Sequence, residues 1–234
     1  MKKVNTDRFF LLMILAISLL LQSCFIKSTG RNHLYPVKVV VLGSSTAAGT
    51  GPKNIKNAWV NRYRDYLIKK DTANKVINLA VGGYTTYHLL PTGTFVPPNR
   101  PKPDPEHNIT KAVTYKPDII IINLPSNDAA YGYSVTEQLN NYRKIMKPAN
   151  ELKIPVYVTT PQGRNMSKEK LQIQFALKDS TYAIFGDKTI DFWHISATET
   201  GNINPKYNSG DGVHLNDEGH ALLFEEIVKQ IIKK

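Results

Sequence analysis

Five stretches of the chain carry nearly unbroken apolar runs of strand length, at residues 37–42, 76–81, 119–124, 154–160 and 189–193. An alternating strand leaves one face to water, whereas a continuous one is buried on both faces, as in a parallel sheet covered by helices. Between the runs, apolar positions recur at helical spacing. Trp59, Tyr63, Tyr66 and Leu67 form one stripe; Leu139, Tyr142, Ile145 and Met146 form a second; Phe224, Ile227, Val228 and Ile231 form a third. Ser134 with Glu137 has the form of a capping box ahead of the second stripe. Residues 167–184 read as a further helix. Asn216 is placed to cap the last one, and Asp217 and Glu218 suit its positive end. The alternation predicts an α/β fold: a five-stranded parallel sheet with helices on both faces, in one domain over residues 37–234.

One stretch breaks the rhythm. Residues 91–116 hold Pro97, Pro98, Pro101, Pro103 and Pro105, and are expected as an extended surface loop without an element of its own. It could wall a substrate cleft.

Composition then narrows the class. The chain has 234 residues, 41% of them hydrophobic, a formal charge of +11 and one cysteine, Cys24. A single thiol excludes an intramolecular disulfide and any zinc site on two or more thiolates. The basic residues are scattered with few aromatics among them, so nucleic-acid binding is not expected. They could favour an acidic substrate or anionic headgroups. At the start, Lys2, Lys3 and Arg8 precede an apolar run over residues 9–21. That run is shorter than the ~20 residues a spanning helix needs and has the length of a signal-peptide core. It ends in Leu21-Gln22-Ser23-Cys24, which resembles the bacterial lipobox. The resemblance implies cleavage of residues 1–23, lipid on Cys24, a tether over 24–36 and a membrane-anchored place in the bacterial cell envelope.

In a parallel sheet, ligands gather at the carboxyl ends of the strands. The loops there carry the candidate chemistry. After the first run comes Gly43-Ser44-Ser45-Thr46-Ala47-Ala48-Gly49-Thr50-Gly51. Ala48 stands where a P-loop needs its second glycine, and Asn54 where a dinucleotide fingerprint needs its last one. What remains is a small-residue turn that can expose a serine hydroxyl as a nucleophile. The second run is followed by Gly82-Gly83, which lets backbone approach a ligand. The third is followed by Pro125-Ser126-Asn127-Asp128, where Asn127 offers an amide donor. Near the end lies Asp211-Gly212-Val213-His214. At this spacing in a turn, the carboxylate can hold one imidazole nitrogen while the other faces the serine. Asp191 and His194 share the spacing but fall on the fifth run, where such positions point to opposite faces of a strand. His220 reads as a packing or surface residue, and His33, His88 and His107 have no partner signal.

Taken in order, Gly43-Ser44-Ser45, Gly83, Pro125-Ser126-Asn127-Asp128 and Asp211-Gly212-Val213-His214 resemble the blocks of the SGNH/GDSL hydrolase superfamily. The resemblance implies a flavodoxin-like three-layer α/β/α sandwich and a serine esterase without cofactor or metal. It implies Ser45 as nucleophile, His214 as base and Asp211 as its orienter. The oxyanion hole would be the Ser45 and Gly83 backbone N–H groups and the Asn127 side chain, with Gly82 as a substitute for Gly83. Ser44 stands where the family has aspartate, and Pro125 where it has glycine. The expected substrate is a small-molecule or glycan ester, with a carbohydrate O-acetylester first in line. A lipase, thioesterase or lysophospholipase is the alternative within the family, and a non-catalytic glycan-binding lipoprotein the alternative outside it.

Overall fold

A computed structural model describes residues 36–232. The expected signal peptide, Cys24 and nearly all of the tether lie outside the described residues. Five strands form one all-parallel sheet: β1 Lys38–Gly43, β2 Lys75–Asn78, β3 Ile119–Asn123, β4 Val156–Thr159 and β5 Thr189–Ile190. The order is β2-β1-β3-β4-β5, so β3 is central, with β1 and β4 on either side. The helices are α1 Ser45–Ala48, α2 Trp59–Lys70, α3 Ile109–Thr114, α4 Asn127–Ala130, α5 Val135–Glu151, α6 Lys168–Phe185, α7 Trp193–Ser196 and α8 Asp217–Ile232.

The unbroken apolar runs are explained by cover on both faces. Val40 and Leu42 of β1, Ile120 and Ile122 of β3 and Val156 and Val158 of β4 pack with Ile109 of α3 and Tyr142 and Ile145 of α5. Val39, Val41 and Ile121 point the other way, onto Trp59 and Tyr63 of α2 and Leu223 and Ile227 of α8. The helical stripes read from the sequence are the faces that meet the sheet. At ~25 cal/mol per Å² of apolar surface removed from water, a fully buried Ile or Leu here contributes about 1.5–3 kcal/mol. No helix among the described residues is long and apolar enough to cross a membrane.

Two expectations need correction. The proline-rich segment is not free of structure, because α3 lies inside it. The prolines stop at Pro105. Beyond them the Asn108 side chain caps the helix by accepting from Lys111 N–H at 3.1 Å. Ile109 and Ala112 are fully buried against the core. The fifth strand is also shorter than its apolar run. It ends at Ile190, and Phe192 is carried into the core by the turn that starts α7.

Candidate active site

The site is built at the carboxyl edge of β1 and β3. β1 ends at Gly43, and the Ser44 N–H continues the sheet by donating to Asn123 O at 3.0 Å. Helix α1 begins at once, so Ser45 stands half-buried on the edge while Thr46 beside it is buried. The chain then turns through Gly51, whose φ is +117°. A Cβ there would fall 2.1 Å from Leu215 O and 3.0 Å from the His214 Cβ. Only glycine lets this loop lie against the segment that carries the histidine.

That segment brings Asp211 and His214 to Ser45 across 169 positions of sequence. Asp211 Oδ2 is 2.6 Å from His214 Nδ1, and His214 Nε2 is 2.9 Å from Ser45 Oγ. A carboxylate only accepts, so Nδ1 carries the proton, and the lone pair of Nε2 accepts from the serine hydroxyl. The other carboxylate oxygen accepts from the backbone N–H groups of His214 at 2.8 Å and Val213 at 2.9 Å. Burial opposes the charge of Asp211. The hydrogen bonds from His214 and Val213 outweigh it and hold this carboxyl far below the usual carboxylate range. The same hydrogen bonds that favour the ionised carboxyl orient the histidine.

The opposite rim holds Gly82, Gly83 and Asn127. A Cβ on Gly82 would sit 3.9 Å from the Ser45 Cβ, so this backbone passes directly beside the serine. Gly83 has φ +83°, with open space around it. Among the described residues, no backbone carbonyl accepts from the N–H of Ser45 or of Gly83. Asn127 Nδ2 donates to Tyr84 O at 2.9 Å, which commits one of its two hydrogens and leaves the second. Its Oδ1 accepts from Arg164 Nη1 at 3.0 Å, which fixes the orientation of the amide. Asp128, next along, is buried and accepts from Thr86 Oγ1 at 2.6 Å and Thr86 N–H at 3.0 Å. Burial raises its carboxyl to about 6 against those hydrogen bonds. The pair ties the loop after β2 to helix α4.

Two residues of this architecture, Gln162 and Arg164, are missing from the sequence reading. Both lie in the loop after β4. Gln162 is buried and joins three loops. Its Oε1 accepts from Thr46 Oγ1 at 3.0 Å, its Nε2 donates to Val213 O at 3.0 Å, and its own N–H donates to Pro125 O at 3.2 Å. Apart from its place after the fourth apolar run, no charge pattern or motif spacing marks this loop.

The remaining expectations resolve as follows. His220 is fully buried. Its Nδ1 accepts from Trp59 N–H at 3.1 Å, so Nε2 donates to Thr50 O at 3.3 Å. Burial lowers its pKa to about 4. It packs, as expected, but it also pins the loop behind Ser45. Asp191 Oδ1 accepts from the backbone N–H of His194 at 3.0 Å. The reason given for setting this pair aside is corrected, because the two residues lie on the turn into α7 and not on a strand. His88 and His107 do have partners, since both rings contact Tyr84. His33 lies outside the described residues. Ser44 is fully buried, and its hydroxyl finds no partner among the described residues. Backbone bonds alone hold that position.

Comparison with known proteins gives a consistent result. A family model described as the GDSL-like Lipase/Acylhydrolase family matches residues 41–222. No curated protein matches the chain. Among solved structures, the lipase/acylhydrolase from Enterococcus faecalis is 18% identical with a TM-score of 0.61, covering 84% of this chain and 96% of that one. The psychrotrophic esterase EstA from Pseudoalteromonas sp., inhibited by monoethylphosphonate, is 15% identical with a TM-score of 0.60, covering 84% and 97%. A two-domain esterase active on acetylated mannans is 13% identical with a TM-score of 0.56, covering 85% of this chain and 49% of that one. At these identities the likeness is one of fold.

Proposed function

Because the chain belongs to the GDSL-like lipase/acylhydrolase family, whose members hydrolyse ester bonds, we propose that Ser45, His214 and Asp211 form its catalytic triad. The observation that carries this reading is the unbroken array from Asp211 through both ring nitrogens of His214 to the Ser45 hydroxyl. His214 Nε2 takes the Ser45 proton as Oγ attacks the ester carbonyl. Asp211 stabilises the imidazolium that forms. The Ser45 and Gly83 N–H groups and the free Asn127 hydrogen receive the oxyanion. His214 then returns the proton to the leaving alcohol. Water, activated by the same nitrogen, cleaves the acyl-serine, releases the acid and restores the hydroxyl.

The test is hydrolysis of p-nitrophenyl acetate with fluorophosphonate labelling of Ser45. Ser45→Ala lowers turnover by roughly 10⁴-fold or more. Asn127→Ala lowers it by about 10²–10³-fold, because one oxyanion donor is lost and two remain. Wild-type rates in both variants, with no labelling, would end the assignment.

Within the family we read the substrate as an O-acetylated carbohydrate at the bacterial cell envelope. The fold relative active on acetylated mannans supports the first part, and the lipobox-like Leu21-Gln22-Ser23-Cys24 the second. A series of nitrophenyl esters separates this from a lipase or thioesterase, since acetate is expected to outrun long acyl chains. Labelled fatty acid is expected to enter the wild type and not Cys24→Ala.

A further inference from the structure

Beside the oxyanion donors a cavity of about 340 Å³ opens between the loop after β2 and the segment that follows α4. Gly82, Gly83, Tyr84, His88, Tyr131 and Tyr133 are among the residues that line it. A Cβ on Gly82 would lie 3.9 Å from the Ser45 Cβ, so the cavity opens close to the serine.

The walls are paired rings. Tyr84 stacks on His88 with centroids 4.2 Å apart and planes 10° apart. Tyr131 stacks on Tyr133 at 5.8 Å and 25°. Each pair is braced from behind. The Tyr84 hydroxyl donates to Asp104, and the Arg100 guanidinium, paired with Glu137, lies 4.2 Å from the Tyr133 ring. His88 Nδ1 accepts from Thr85 N–H at 3.0 Å, so the remaining ring hydrogen is on Nε2. Tyr131 stands one helical turn past Asn127, its N–H on Asn127 O at 2.9 Å, and is 66% exposed.

An acyl chain asks for an enclosed slot of aliphatic carbon. This cavity offers flat faces with hydroxyl and imidazole groups at their edges. A pyranose ring has the complementary surface, a patch of C–H groups on its face and hydroxyls around its rim. Tyrosine suits such a ligand because its body is apolar and its tip is polar. We propose that the cavity is the leaving-group subsite, in which Tyr131 and the Tyr84–His88 pair hold the sugar ring that bears the ester. The proposal rests on the carbohydrate reading above and deepens it: the alcohol side of the substrate, and not the acyl side, lies against the loop after β2.

The experiment compares kcat/KM for partially acetylated manno- and xylo-oligosaccharides with that for p-nitrophenyl acetate. In Tyr131→Ala the ratio of the two is expected to fall about tenfold, mainly through KM for the oligosaccharide. Tyr131→Phe keeps the ring and is expected to keep the ratio. An unchanged ratio in Tyr131→Ala overturns the proposal. So does a wild type that hydrolyses p-nitrophenyl acetate but no acetylated oligosaccharide. A selective loss on p-nitrophenyl octanoate in Tyr131→Ala would make the cavity an acyl pocket instead. Failure of the esterase reading itself is distinct, because the wild type would then neither turn over p-nitrophenyl acetate nor take the fluorophosphonate label.

Discussion

On the side of Ser45 and His214, buried amide and imidazole groups tie each loop to the next. On the side of Tyr84 and Tyr131, half-buried stacked rings lead out to one exposed ring, Tyr131. Gln162 alone connects Thr46, Val213 and Pro125, and His220 connects Trp59 with Thr50. Tyr131, by contrast, keeps two thirds of its surface in water. The proposed proton transfer tolerates little error in a 2.9 Å contact, which fits a side held by directional bonds among buried groups. Recognition of a ring face tolerates sliding, and stacking supplies that with less directionality. The two halves divide precision from adaptability.

The comparison can be broken most strongly at Gln162. Gln162→Met keeps the volume but strands the Thr46 hydroxyl and the Val213 carbonyl. At about 1–3 kcal/mol for a buried group left unpaired, and less for the half-buried Val213 carbonyl, the expected loss is about 2–4 kcal/mol, read by urea unfolding. Turnover of p-nitrophenyl acetate is expected to fall about tenfold or more in the folded variant, with KM little changed, because the loops bearing Ser45 and His214 lose their common tie. A loss of stability with kcat intact would show that Gln162 serves the fold only.

His220 gives the next effect. Its pKa is lowered from 6.5 in the unfolded chain to about 4 in the native state. Between those values the unfolded chain binds the extra proton, so stability rises with pH there. The contribution is fully present above pH 6.5 and is lost as pH falls to about 4, an effect of roughly 3 kcal/mol. Asp128 opposes it, since its raised carboxyl favours the fold at low pH and loses that advantage as pH rises through about 6. His220→Gln is expected to flatten the acid limb of a melting-temperature profile; an unaltered limb would remove His220 as its cause. Ser44 gives the smallest change. Ser44→Ala removes a buried hydroxyl that has no partner, so stability is expected to stay level or rise by less than ~1 kcal/mol. A loss of 2 kcal/mol or more by urea unfolding would reveal a partner for that hydroxyl.

Much of this was legible in the sequence because it rests on local pattern. The five apolar runs became five strands, since a strand buried on both faces needs apolar residues at every position. The Asp211–His214 spacing and the small-residue turn at Ser45 were visible for the same reason. Helix α3 was hidden behind its prolines, although Asn108 and the buried Ile109 and Ala112 carry an ordinary helical start. Gln162 was not legible. A neutral amide in a loop carries no charge or spacing signal, and its partners lie 116 positions before it and 51 after it. Arg164 was missed likewise, because its contact with Asn127 exists only once β3 and β4 lie side by side.

The hydroxyl comes from the turn just after the first strand and the imidazole from the loop before the final helix. A ribosome therefore finishes all five strands, and most of the core, before the emerging polypeptide can offer the proposed base to its serine. A nascent molecule stalled anywhere short of residue 214 is expected to be chemically silent however well its sheet has formed. First ester cleavage thus reports arrival of the tail, and a stalled-translation series would time that event.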